Sequence, residues 1–222
     1  MKIKILAFVV SLVISLSVTL SAQRVFMFGD SHVCGKKYPE QTSKVLKDTF
    51  PAIEFSFWGK NGICFHSVNK NPQYLDSLFS FSPDIAIIHL GTNGAYENNY
   101  SGKAFREEME SFISLFRERM PECKIVFITP FTNKKRRYRK KGNWFVNNNN
   151  RKAADEIVEF VKTHHDTFVI DNNEEAGNLF INSKTLIRPD NVHLTEKGYR
   201  LLGTQVGESI VAINDLWTTP EL

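Results

Sequence analysis

The feature that most constrains the fold is an alternation of short apolar runs with segments of helical period, repeated along most of the chain. "RVFMF" (24–28), "IEFSFW" (53–58), "DIAIIHL" (84–90), "CKIVFITP" (123–130) and "TFVID" (167–171) have the length and residue types of strands. Between and after them lie helical segments: "PEQTSKVLKDTF" (39–50), "PQYLDSLFSF" (72–81), "SGKAFREEMESFISLFRERM" (101–120), "NNRKAADEIVEFVKTHH" (149–165) and "TEKGYRLLGTQVGESIVAI" (195–213). In the 101–120 segment Phe105, Met109, Phe112, Ile113 and Phe116 fall on one stripe, and Pro121 stops it. Strand and helix in alternation specify a parallel sheet with helices on both faces. The expected architecture is a doubly wound, flavodoxin-like three-layer α/β/α sandwich on a five-stranded parallel sheet.

At 222 residues the chain fits one domain, since single cores begin to split beyond roughly 250 residues. The start, "MKIKILAFVVSLVISLSVTLSAQ", sets Lys2 and Lys4 before an apolar run from Ile5 to Leu20, followed by Ser21 and Ala22. It reads as a cleaved signal peptide over 1–22, with the folded domain over 23–222 and a periplasmic or extracellular location. The alternative is an uncleaved anchor, against which stand the interrupting Ser11, Ser15, Ser17 and Thr19 and a run short of the ~20 apolar residues of a usual span.

Formal charge is +4, of which Lys2 and Lys4 supply two, so overall charge says little about partners. Three cysteines, Cys34, Cys64 and Cys123, allow at most one internal disulfide. Cys34 with Cys64 is the candidate pair, and buried free thiols are the alternative.

In doubly wound sheets, sites form in the loops at the carboxyl ends of the strands. Those loops are "GDSHVCG", "GKNGICFH", "GTNGAYENN" and "FTNKKRRYRKKGNW". Ser31 stands in the first, where a strand-to-helix turn exposes a hydroxyl and aims an N–H at the site. Gly62 in the second permits close backbone approach and lends another N–H, and Asn93 in the third supplies a side-chain NH₂ donor. Far along the chain, "RPDNVHLTEKGY" sets Asp190 three positions before His193, near enough for the carboxylate to hold the imidazole and fix its tautomer. A nucleophile, a base, an orienter and oxyanion donors are the parts of serine-based acyl transfer.

Each motif alone is common, but their order and their placement at strand ends resemble the SGNH hydrolases, also called GDSL-type esterases and lipases, over nearly the whole exported chain. The resemblance implies Ser31 as nucleophile and first oxyanion donor, Gly62 and Asn93 as the other donors, His193 as base and Asp190 as its orienter. Gly35 and "HLTEKGY" fit the family pattern as well. Two positions depart from it: His32 replaces the usual Leu or Ile after the serine, and Gly94 the frequent Asp after the asparagine. Both bear on the pocket wall.

His32 adjoins Ser31, yet neighbouring residues leaving a strand project in different directions, so it is poorly placed as base. It is expected to line the pocket or bond a neighbouring loop, the alternative being a structurally bland residue. Asp171 is expected to cap a helix or loop, His89 to be a satisfied buried histidine, and His164 and His165 to end a helix; no metal site and no cofactor are expected.

The basic run "KKRRYRKK" (134–141) reads as a loop bordering the cleft. Lys134, Lys135, Arg136 and Arg137, with Tyr138 and Trp144 for stacking, are candidate contacts to an anionic glycan or membrane surface, the alternative being a solvated loop. Nucleic acid is not expected for an exported chain. The expected activity is hydrolysis of O-acyl, foremost O-acetyl, esters on a carbohydrate. Lysophospholipid or other lipid acyl hydrolysis is the enzymatic alternative. A glycan- or surface-binding protein, or a sugar O-acyltransferase, is the alternative of another class.

Overall fold

The computed structural model describes residues 23–95, 100–131, 136–140, 143–147, 149–173, 183, 185–190 and 192–217. Residues 1–22, where a signal peptide is expected, and Lys134 and Lys135 lie outside them. Five parallel strands form the main sheet: β1 (Arg24–Gly29), β2 (Glu54–Gly59), β3 (Ile85–His89), β4 (Lys124–Ile128) and, after the hairpin described below, β7 (Thr167–Ile170). Their order is β2-β1-β3-β4-β7. The chain therefore winds outward in both directions from β1 and β3, and the crevice for ligands opens where the winding reverses, at the ends of those two strands.

Side chains alternate across the sheet. Phe26, Phe28, Ala86, Ile88, Ile125 and Phe127 face one side, in a core with α3 (Phe65–Lys70), α4 (Asp76–Phe81), α6 (Gly102–Arg119) and α7 (Asn149–Val161). Val25, Met27, Ile85, Ile87, Val126 and Ile128 face the other, packed on α2 (Lys37–Thr49), α8 (Glu196–Ala212) and α9 (Asn214–Trp217). β3 is buried along its whole length, as its unbroken apolar run requires. The helix starts are capped: Ser101 Oγ accepts the Ala104 N–H of α6, and Thr195 Oγ1 accepts the Gly198 N–H of α8.

Two short helices stand at strand ends, α1 (Ser31–Cys34) after β1 and α5 (Thr92–Ala95) after β3. Three local expectations are corrected. Residues 72–75 of the 72–81 segment form a 3₁₀ turn before α4, with Pro72 leading it. α3 is an additional helix. The basic run is not wholly a loop: β5 (Arg136–Lys140) pairs antiparallel with β6 (Asn143–Asn147), with only Lys141 and Gly142 between them. A connection of this length with a glycine is what a hairpin needs, and it outweighs the poor strand propensity of consecutive Arg and Lys.

Candidate active site

Ser31 opens α1 directly after β1, and α1 is pressed against the strand ends. A Cβ on Gly59 would stand 2.5 Å from the Cys34 nitrogen, so only glycine lets the turn dock on β2. At the first position of a helix the Ser31 N–H has no carbonyl partner within that helix. The next N–H, of His32, is taken by Asp30 Oδ1 at 3.0 Å.

The segment that carries Asp190 and His193 is folded back on itself. Ile187 and Leu194 form an antiparallel bridge, flanked by Arg188 N–H to His193 O and Thr195 N–H to Leu186 O, each 2.8 Å. Within this clasp the Asp190 Oδ1 accepts the N–H groups of Val192 (2.8 Å) and His193 (2.9 Å), while its Oδ2 lies 2.7 Å from His193 Nδ1. The other ring nitrogen, Nε2, is 3.0 Å from Ser31 Oγ. Partial burial raises the Asp190 carboxyl, but the hydrogen bonds from the His193 ring and from the two backbone N–H groups outweigh it and bring the pKa down to about 2. The group that faces the imidazole is thus an anion throughout the neutral range.

Gly62 sits in the loop after β2 at φ +80°, a conformation that L side chains rarely adopt, and a Cβ there would meet nothing within 4 Å. Asn93 lies in α5. Its Nδ2 donates to Ile63 O at 3.0 Å and to Asp30 Oδ2 at 3.2 Å, which joins the loops after β1, β2 and β3 into one unit. The structure thus brings Ser31, Asp190 and His193 into one hydrogen-bonded line and ties Asn93 to the loop of Gly62.

His32 does not line a pocket. It is 1% exposed, its Nδ1 is 3.3 Å from the Tyr199 hydroxyl on α8, and its ring stacks on His89 with centroids 5.2 Å apart. Burial, with a lesser contribution from His193 nearby, lowers its pKa to about 3, so it is a neutral group behind the site. His89 is buried as expected but is not satisfied: neither ring nitrogen has a hydrogen-bond partner among the described residues. Burial holds it well below the usual histidine range.

Asp171 Oδ1 accepts from Thr129 Oγ1 at 2.8 Å and from the Asn173 N–H at 2.9 Å, the part of a loop cap. His164 stacks on Phe160 and bonds Glu110. Cys34, Cys64 and Cys123 are free thiols, Cys34 exposed and the other two buried, so the Cys34–Cys64 disulfide is not formed. Of the basic segment, Arg136, Arg137 and Tyr138 fall on β5 and Trp144 on β6.

Sequence reasoning missed Asp30, which is fully buried and bridges the nucleophile turn to Asn93. Burial pushes its carboxyl up to about 7, against the lowering effect of the His32 N–H. The signal was present, as a carboxylate between an apolar strand and a helix start, but its partner is 63 residues away.

The chain belongs to the GDSL-like lipase/acylhydrolase family, whose model matches residues 27–201, and it is a carboxylic ester hydrolase. Solved structures share the fold at low identity. A peptidoglycan O-acetylesterase is 13% identical with a TM-score of 0.72, over 87% of this chain and 91% of its own. The acetyl xylan esterase AlAXEase is 16% identical at 0.65, over 84% and 99%, and a lipase/acylhydrolase from Enterococcus faecalis is 20% identical at 0.61, over 90% and 99%. No curated protein sequence matches the chain significantly.

Proposed function

We propose that the protein is an exported serine esterase that removes O-acyl groups, acetyl foremost, from a carbohydrate. The observation that carries this reading is the line of hydrogen bonds from Ser31 Oγ through His193 to Asp190. In the reaction His193 Nε2 takes the Ser31 proton as Oγ attacks the ester carbonyl, and the Asp190 anion holds the opposite ring N–H and balances the imidazolium. The Ser31 and Gly62 N–H groups and Asn93 Nδ2 receive the oxyanion, and Asn93 exchanges its longer bond, to Asp30, for this one. Collapse expels the alcohol, which leaves with the proton from His193. A water molecule deprotonated by the same nitrogen then attacks the acyl-enzyme carbonyl, and His193 returns that proton to Ser31 Oγ as the acid is released.

Support for acetyl and carbohydrate comes from the fold neighbours named for acetyl xylan and for peptidoglycan O-acetyl groups. Support for export comes from the apolar segment behind Lys2 and Lys4. The test is acid release from 4-nitrophenyl esters, acetate to palmitate, and from an O-acetylated polysaccharide, by wild type and Ser31→Ala. Wild type is expected to hydrolyse the acetates, with Ser31→Ala lower by at least about 10³-fold. Undiminished turnover by Ser31→Ala overturns the mechanism; polysaccharide left acetylated while the small acetate is cleaved overturns the carbohydrate assignment alone.

A further inference from the structure

Beside Asn93 lies a cavity of about 90 Å³ that the catalytic line does not touch. Its walls are Cys64 and Phe65 at the start of α3, Gly94 next to Asn93, and Tyr100 and Phe105 around the start of α6, with His66 and Glu108 also lining it. Phe65 and Phe105 are nearly inaccessible and pack edge to face. Glu108 is fully engaged: one carboxylate oxygen holds His66 Nδ1 and the other takes Asn69 Nδ2 at 2.8 Å. A half-open hollow with aromatic walls thus ends against the His66–Glu108 hydrogen bond.

Stereochemistry says which part of an ester belongs there. In the tetrahedral intermediate the leaving oxygen must face His193 Nε2, which gives it a proton, and the oxyanion must face Gly62 and Asn93. His193 leads into α8, on one face of the sheet; the cavity is built from α3 and α6, on the other. The substituent left to point away from His193 is the acyl chain.

Size then limits that chain. An apolar cavity of ~150 Å³ holds a benzene-sized guest, and this one is smaller. Gly94 contributes to the space it has, because a Cβ there would stand 3.4 Å from the Phe105 ring and 3.7 Å from Cys64 Cβ, and larger side chains would fill the hollow.

We propose that this cavity is the acyl-chain subsite of the esterase, that it admits acetyl through butyryl groups, and that Gly94 and the His66–Glu108 pair set its length limit. The inference rests on the reading of Ser31 as nucleophile. A hexanoyl or longer chain would drive methylenes against the Glu108 carboxylate, which is already committed to two donors.

The experiment is kcat/KM for 4-nitrophenyl acetate, butyrate and octanoate with wild type, Gly94→Val and Ala104→Leu. Ala104 lines the cavity but is exposed on α6, so its variant carries the same test if Gly94→Val does not fold. A methylene gained or lost in a fitted pocket changes rates about 10- to 200-fold. Wild type is therefore expected to favour butyrate over octanoate by at least about 10-fold, and the butyrate-to-acetate ratio to fall about 10-fold or more in either folded variant. A ratio unmoved in the folded variants, or octanoate cleaved as well as butyrate by wild type, overturns the subsite. Activity retained by Ser31→Ala would instead remove the reading beneath it.

Discussion

Asp30 and His32 flank the nucleophile, are both buried, and respond to pH in opposite senses. The unfolded chain releases the Asp30 proton near 3.8, whereas the folded chain keeps it to about 7, so this group's contribution to stability is lost as pH rises between those values. The unfolded chain protonates His32 near 6.5 and the folded chain resists to about 3, so its contribution is lost as pH falls through that window. From pH 4 to 6.5 the two slopes oppose. At ~1.4 kcal/mol per pH unit, each is worth a few kcal/mol across its window. Urea midpoints at pH 4.5 and 6.5 are expected to separate them: Asp30→Asn should lose more stability than wild type on acidification, and His32→Leu less. Parallel shifts in all three proteins would contradict the assignment. None of this was legible in the sequence, where "GDSH" shows three polar groups but not that two of them turn inward.

Among the elements, α8 lies so close to α2 that glycine is required in the contact. A Cβ on Gly203 would sit 2.6 Å from the Tyr38 carbonyl oxygen and 2.7 Å from Gln41 Cβ. Backbone cannot yield as a side-chain tip does, so Gly203→Ala is expected to cost about 1–3 kcal/mol, read as a lowered thermal midpoint by circular dichroism. The long strands and helices were readable because each carries a periodic apolar signal and a stop. α3 escaped because six residues, "FHSVNK", span too little chain for a helical stripe, and its start is fixed by the Cys64 and Ser67 backbone and side-chain bonds. The β5–β6 hairpin escaped because five basic and aromatic residues look like a solvated loop, and only the two-residue connection hints otherwise.

At the scale of the molecule, the strand order explains why the site draws on distant sequence. β1, β2 and β3 are adjacent, so the loops of Ser31, Gly62 and Asn93 converge at the switch point, and α8 returns across one face to bring His193 up to Ser31. This much was open to sequence reasoning, because alternation gives the sheet and the sheet rule gives the edge. The cavity beside Asn93 was not, since it depends on where α6 packs and on a His66–Glu108 contact between residues 42 apart.

The clasp around Asp190 and His193 divides the catalytic line unequally. The joint between Asp190 and His193 spans three residues, but the joint between His193 and Ser31 spans 162 and exists only while the clasp is docked. Among the described residues the clasp is held closed by the two backbone bonds of its single bridge, by Thr195 Oγ1 donating to Thr185 O and by the buried Leu186 and Leu194 side chains, and small units of this kind open at lower free energy than a buried sheet. Ester hydrolysis should therefore fade at urea concentrations that leave far-ultraviolet ellipticity intact; coincident curves would contradict this. Chain connectivity thus makes the enzyme a circuit with one soldered and one spring contact, which fails first by disconnection of an intact Asp–His half from its serine.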